Sequence, residues 1–279
     1  MAPPVATRDA LAAAEAARDA LLTRTVEQLN TLLVQLQQRL RGALPSDQAR
    51  LAQQLAQIRA LIAGETTRFA NGATPVLSGA QRDAVPLAQT LVDAPLAAGG
   101  LAVALPELTL PLLDALTAYA ADLVTGLSNA MRDHMTQQIQ LVVLGAQDIS
   151  TAMQAIETML DPAGTGGLNA NARAEAIART EVGRVHSTAT QRRLEQAARQ
   201  VEGLMKEWRH SGLARNPRSG HVAASGQRVA AFEAFLVAPE VGMTRERLMY
   251  PRDPAASARN SVQCRCIHTP WVPRWAEAA

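Results

Sequence analysis

Apolar residues in the first part of the chain recur at spacings of mostly three and four. Leu11, Ala14, Leu21, Val26, Leu29, Leu32, Leu33 and Leu36 predict one long amphipathic helix over residues 8–42. Gly42 and Pro45 stop it, and Ser46-Asp-Gln supplies an N-cap for a second helix over 47–63. Leu51, Leu55, Ile58 and Leu61 lie on one face of that second helix. The two together predict a helical hairpin, either an ordinary packed pair or a partner-binding coiled-coil arm. Over 64–111 the pattern is punctuated by Gly, Pro, Ser and Thr, which predicts short helices and loops.

The helical rhythm returns over 112–145 through Leu113, Leu116, Leu123, Leu127, Met131, Met135 and Ile139. A further helix is expected over 147–160, starting near Ser150, and Asp161-Pro-Ala-Gly-Thr-Gly-Gly reads as a break. Asn169 or Asn171 can then cap a long helix over 169–207, with Ala174, Ile177, Ala178, Val182, Val185 and Leu194 as its buried stripe. Beyond Trp208 the rhythm collapses under repeated Gly and Pro. Only 227–237 and 262–268 read as strands. The expected fold is mainly α, with long N-terminal and central helices and a small α+β C-terminal unit. Three segments follow: a hairpin or arm over 1–63, a central helical region over 64–165, and the α+β unit over 166–279.

Composition narrows this picture. Hydrophobic residues make up 48% of the 279, enough for a real core, yet aromatics are only 3%. The core must therefore be built from Ala, Leu and Val, which favours closely packed helices. The net charge of +2 conceals an asymmetry. Residues 1–170 hold 10 Arg and 15 acids, whereas 171–279 hold 17 Lys and Arg against 10 acids. The basic half could meet nucleic acid or an acidic protein surface, or be a solvated helix face. No uninterrupted apolar run reaches the length of a membrane span, and no secretory leader is recognisable, so no membrane partner is expected. Two cysteines one residue apart are no disulfide framework and suggest a reducing compartment.

The unusual residues gather near the C-terminus, where both cysteines and three of the five histidines lie. In order come Ala178-Arg179-Thr180-Glu181 on a helix, then Trp208, then Arg218-Ser-Gly-His221 before Gly226-Gln227. Tyr250-Pro251-Arg252-Asp253-Pro254 and Cys264-Arg265-Cys266 complete the series. This ordered set resembles the phage Mu protein F-like head morphogenesis family, the minor head or minor capsid proteins of tailed phages. The matched motifs span about residues 141–273; the N-terminal helices are similar only in kind. Three departures stand out. The family usually has Gly where this chain has Arg252, and Asn where it has Gln263. It also usually carries an acidic residue between Trp and Arg, and none lies between Trp208 and Arg218.

The resemblance implies a structural protein that joins the assembling procapsid, associates with the portal and with capsid or scaffold proteins, and can contact double-stranded DNA. Its place would be the virion, at the head interior or portal vertex, after assembly in the host cytoplasm. The implied mechanism is binding, with no cofactor. The alternative is an enzyme carried in the virion, ADP-ribosyltransferase-like or metal-dependent. A DNA-binding protein unrelated to virions is a third reading. No Ser-Thr-Ser strand, Glu-x-Glu loop, Ser-His-Asp order, Walker loop or GxGxxG fingerprint supports catalysis.

Each candidate residue carries a functional and a bland reading. On a strand, Cys264, Cys266 and His268 would face one way, and His221 could complete a tetrahedral zinc site. Against that, successive same-face positions on one strand are far apart for a single ion. The bland reading makes both cysteines small core residues and His221 a hydrogen-bonded structural histidine. Arg179 and Glu181, two apart on a helix, cannot pair with each other, and Arg179 is expected to hold the Asp253 turn. Trp208, Phe232, Phe235 and Tyr250 are expected to form a small aromatic core. Arg184, Arg192, Arg193, Arg199, Lys206 and Arg209 would line the second half of the long helix as a phosphate-tracking face, or simply be solvated.

Overall fold

The structure, a computed structural model, describes residues 3–45, 47–101, 103–161, 169–212 and 216–277. The expected mainly α architecture with a small C-terminal α+β unit is what forms. Helix α1 runs over Val5–Ala43, α2 over Gln48–Gln53, α3 over Leu55–Ala98, α4 over Leu113–Val143, α5 over Ile149–Leu160 and α6 over Ala170–Ala198. Within the Ser46-Asp-Gln stretch read as an N-cap, Asp47 caps α2, accepting from the Ala49 amide at 2.9 Å; Ser46 lies outside the described residues. The break read at 161–167 also lies outside the described residues from 162 onward. Among the described residues, no helix is long and apolar enough to cross a membrane.

The largest departure from expectation is α3. Residues 64–98 form no set of short pieces but continue one 44-residue helix through Pro75, Pro86 and Pro95. Each proline removes one i→i−4 bond and ordinarily kinks or ends a helix. The apolar rhythm nevertheless never lapses across them. Ile58, Ile62, Phe69, Ala73, Leu77, Ala80, Ala84, Ala88, Val92 and Leu96 are all buried, at spacings of three, four or seven. Tertiary burial of that continuous stripe outweighs the local penalties.

The chain groups into two compact units, which cut across the three segments read from the sequence. One comprises Arg24–Gly79 and Thr117–Ala178; the other comprises Met1–Thr23, Ala80–Leu116 and Arg179–Ala279. The first is wholly helical. Ser128 donates to the Thr66 carbonyl at 2.7 Å, Gln48 donates to the Val142 carbonyl at 2.9 Å, and Arg41 pairs with Glu157. Leu32 packs where a side chain at Gly72 would stand, so that glycine sets a close helix approach.

The second unit is organised around α6, which stops at Ala198 rather than running to 207. After a turn through Gly203, strand β1 (Met205–Arg209) follows, and Lys206 and Trp208 point inward. Helix α7 (Ser219–Ala223) precedes β2 (Arg228–Ala230), β3 (Phe235–Val237) and β4 (Glu246–Leu248). Helix α8 (Ala258–Ser261), β5 (Ile267–Trp271) and α9 (Arg274–Glu277) complete the chain. Strand β1 is central in an antiparallel sheet of order β2-β1-β5, with Trp208 opposite His268. Strands β3 and β4 pair separately. The strand expected over 227–237 is thus two strands in different sheets, and Cys264 and Cys266 precede β5 instead of lying in a strand.

Two apolar clusters fill this unit. Val92, Leu96, Leu194, Ala197, Trp271 and Trp275 belong to one; Trp208, Phe235, Val237, Leu248, Cys264 and Cys266 to the other. Of the expected aromatic core, Trp208 and Phe235 meet edge to face at 5.4 Å. Phe232 is instead 55% exposed in the turn between β2 and β3, and Tyr250 stacks on His268 at 6.2 Å.

Gly220 presses against the Ala238 backbone, so an added Cβ would overlap the carbonyl there; at Gly126, within α4, nothing lies within 4 Å. Gly220→Ala should therefore cost about 1–3 kcal/mol in urea denaturation. Gly126→Ala should be neutral or stabilising by up to about 1 kcal/mol. Burial holds His186 in α6 well below its ordinary pKa, hence neutral in the fold. The unfolded chain takes up a proton below about pH 6.5 that the folded one refuses, so stability falls as pH drops through that value. The expected slope from His186 is up to about 1.4 kcal/mol per pH unit. Buried His268 adds its own, so His186→Leu should remove one proton's share of the slope and leave the rest, as denaturation between pH 7 and 5.5 would show.

Candidate metal centre

The motif residues converge in the second unit, and their scaffold is a buried arginine. Arg252 lies in the turn after Tyr250-Pro251, with φ of 66°, and its guanidinium is fully enclosed. It donates to the Ser187 hydroxyl of α6 at 2.7 Å and to the Cys264 carbonyl. Gly183 makes the room: a Cβ there would stand 2.8 Å from Arg252 Nε. Burial lowers the Arg252 pKa to about 10, still charged at neutral pH. The turn is closed by Asp253, whose carboxylate accepts from the Met249 amide at 2.8 Å and the Ala255 amide at 2.9 Å. Pro254 follows, exposed.

The expected clamp of Arg179 on this turn is replaced by other bonds. Asp253 is satisfied by backbone amides, whereas Arg184 reaches the Arg252 carbonyl at 3.4 Å and also pairs with Glu181 at 2.8 Å. Burial raises the Glu181 pKa even so. Further along, the Gln263 amide donates to Thr180 at 2.9 Å, which pins Gln263 at φ 54°. Arg218 donates to the Val262 carbonyl at 2.7 Å, and the Gly226 amide to the Trp208 carbonyl at 2.8 Å. Tyr250 accepts from Thr188 at 3.3 Å.

These bonds bring Cys264 and Cys266 up to His221 of α7. The imidazole Nδ1 lies 3.5 Å from the Cys264 sulfur and 3.6 Å from the Cys266 sulfur, and all three ligand atoms fall within 4.8 Å of one another. All three residues are buried. On the far side of the ring, Nε2 stands 2.9 Å from Asn260 Oδ1. With Asn260 Oδ1 as the acceptor, Nε2 is the donor in this pair. The imidazole therefore carries its proton on Nε2 and offers a bare lone pair at Nδ1. The Cys266 thiol, donating to Cys264, holds the Cys264 pKa well down, with His221 and Arg252 adding to the effect; Cys266 itself is pushed up. Cys264 also lines a cavity of about 220 Å³ shared with Arg18, Asp19, Arg179, Arg252 and Arg265.

His268, read as a fourth ligand, does not join the cluster. Its ring lies between Tyr250 and Phe235, both ring nitrogens lack a partner, and burial keeps it neutral. The alternation that seemed to align it with the cysteines fails because the strand begins only at Ile267. Asn260, by contrast, went unnoticed in the sequence; its signal is only positional, since the chain brings it to His221 across 39 residues.

The proposed phosphate-tracking face also does not form. Lys206 and Arg209 lie on β1, and Lys206 is fully buried, donating to Gln191 at 2.9 Å and the Met249 carbonyl at 2.7 Å. Burial lowers its pKa to about 8. Arg193 is held by Asp93 at 2.5 Å, Arg184 by Glu181 and Arg209 by Glu15. Of the six, only Arg192 on α6 and Arg199 just past its end are exposed, and Arg192 pairs with Glu195.

Comparison with known proteins adds one partial relative. A stretch of 68 residues is 38% identical to the uncharacterised protein YqbB of Bacillus subtilis (strain 168), covering 24% of this chain and 21% of that protein. No family model matches the chain, and no solved structure matches it.

Arg252→Ala should lower stability by about 2–4 kcal/mol, because it empties a buried site and strands the Cys264 carbonyl and Ser187. Arg252→Lys should restore little, since one ammonium cannot span both acceptors. Chemical denaturation of the three chains tests this.

Proposed function

We propose that this protein is a minor head protein of a tailed phage or prophage, of the Mu F-like kind, acting by binding during head assembly. One observation supports this most. The two positions at which the chain departs from the family's usual Gly and Asn are Arg252 and Gln263. Among the described residues they are also the two non-glycine residues with positive φ, at 66° and 54°. Gly and Asn are the residues that tolerate that backbone region best. The family's residue preferences therefore follow a backbone that this chain adopts. The remaining motif residues, Trp208, Arg218, His221, Gly226, Tyr250, Asp253, Cys264 and Cys266, meet around that backbone in one unit.

In this reading the C-terminal unit is a compact module whose unusual residues maintain its shape, and the helices supply surface for portal, capsid or scaffold subunits. Contact with double-stranded DNA would need a surface other than the six cations of the expected phosphate-tracking face, since five of them are buried or paired with acids. The test is particle composition. In a strain carrying the gene, the protein should sediment with procapsids or heads and co-purify with the portal protein. Its absence from such particles, or release of nicotinamide from a nicotinamide dinucleotide by the purified chain, would overturn the proposal and favour the enzyme reading.

A further inference from the structure

We propose that His221, Cys264 and Cys266 hold a single zinc ion, with His221 bound through Nδ1 and the fourth position left to a ligand from outside the protein. The inference stands apart from the head-protein reading and rests on geometry. Zinc at about 2.3 Å from sulfur and about 2.0 Å from nitrogen, with tetrahedral angles, sets each sulfur about 3.5 Å from the nitrogen. The two such edges here measure 3.5 and 3.6 Å.

Hydrogen bonds alone, with the Cys266 thiol on Cys264, would give similar lengths. The imidazole offers one lone pair at Nδ1, and both sulfurs stand within 3.6 Å of it. A cation uses the lone pairs of all three atoms together. The ring is also oriented as metal-binding imidazoles are, its other nitrogen donating to an acceptor, Asn260 Oδ1, at 2.9 Å. The donor set of two thiolates and one imidazole suits a borderline-soft divalent ion and disfavours magnesium or calcium. Two thiolates also neutralise its charge inside the apolar cluster formed by Trp208, Phe235 and Leu248.

Among the described residues no other His, Cys, Asp or Glu joins the three. Cys264 borders the cavity it shares with Arg18 and Arg252, and the proposal places the approach of water or a small anion there. The ion would tie α7 to the segment before β5, residues 43 apart in sequence.

The experiment uses the full-length chain purified reduced and without chelators. Elemental analysis should find about one zinc per chain, and both thiols should react with a thiol reagent only after a strong chelator is added. Cobalt exchanged into the site should give a thiolate-to-cobalt charge-transfer band in the near ultraviolet. His221→Ala and Cys266→Ser should lose the metal and the band, whereas His268→Phe should keep both. If the ligand variants do not fold, the wild-type measurements decide alone. A folded wild-type chain that takes up neither zinc nor cobalt, with its thiols equally reactive with and without chelator, overturns the proposal. Retention of the cobalt band by folded His221→Ala would equally overturn the assignment of that ligand.

Discussion

The C-terminal unit depends on one buried cation. Arg252 occupies a left-handed turn and spans from α6 to the Cys264 carbonyl, so a single guanidinium ties a helix, a turn and a cysteine segment together. A buried charge is expensive unless its hydrogen bonds are made, and a planar fork of donors meets two acceptors at once where an ammonium could not. The space it needs comes from Gly183 on the facing helix. The two residues are therefore coupled, although 69 positions do not separate them in any pattern that periodicity could reveal.

That arrangement explains why residues that look catalytic in sequence serve first as architecture. Trp208 anchors a cluster, Asp253 closes a turn on backbone amides, Arg218 holds the Val262 carbonyl, and Tyr250 stacks on a buried histidine. Among the described residues, His221, Cys264 and Cys266 alone bring three such ligand atoms within 4.8 Å of one another. Their convergence follows from the same scaffold: Arg252 fixes the carbonyl of Cys264, Thr180 fixes the amide of Gln263, and Asn260 fixes the imidazole.

The second feature of this unit is how much polarity its central helix buries. From Thr180 to Gln191, α6 encloses Glu181, His186, Ser187, Thr188, Thr190 and Gln191. These are partners for its surroundings: Ser187 for Arg252, Thr188 for Tyr250, Gln191 for Lys206 and the Ala231 carbonyl. A polar helix in this position is stable because most of these groups find partners that water would otherwise supply. The same unit removes Arg193, Lys206 and Arg252 from solvent, so a count of Lys and Arg overstates the cationic surface.

The sequence by itself determined the helices whose apolar positions recur with the helical period, α1, α4 and α5 nearly to the residue, together with the mainly α class and the small C-terminal α+β unit. It also carried the period of α3, where buried alanines step through three prolines, although the prolines are the louder local signal. Periodicity is a property of one segment facing one core, so it can be read without knowing the partner. What only the tertiary structure decided is everything that depends on two distant segments meeting. Strand β1 alternates Lys206 and Trp208 inward because β2 and β5 flank it, and a lysine is no sign of burial until Gln191 and the Met249 carbonyl are found beside it. The ligand set likewise changed from a strand ending in His268 to a cluster backed by Asn260, because register and turn geometry, not spacing, decide which side chains share a point in space.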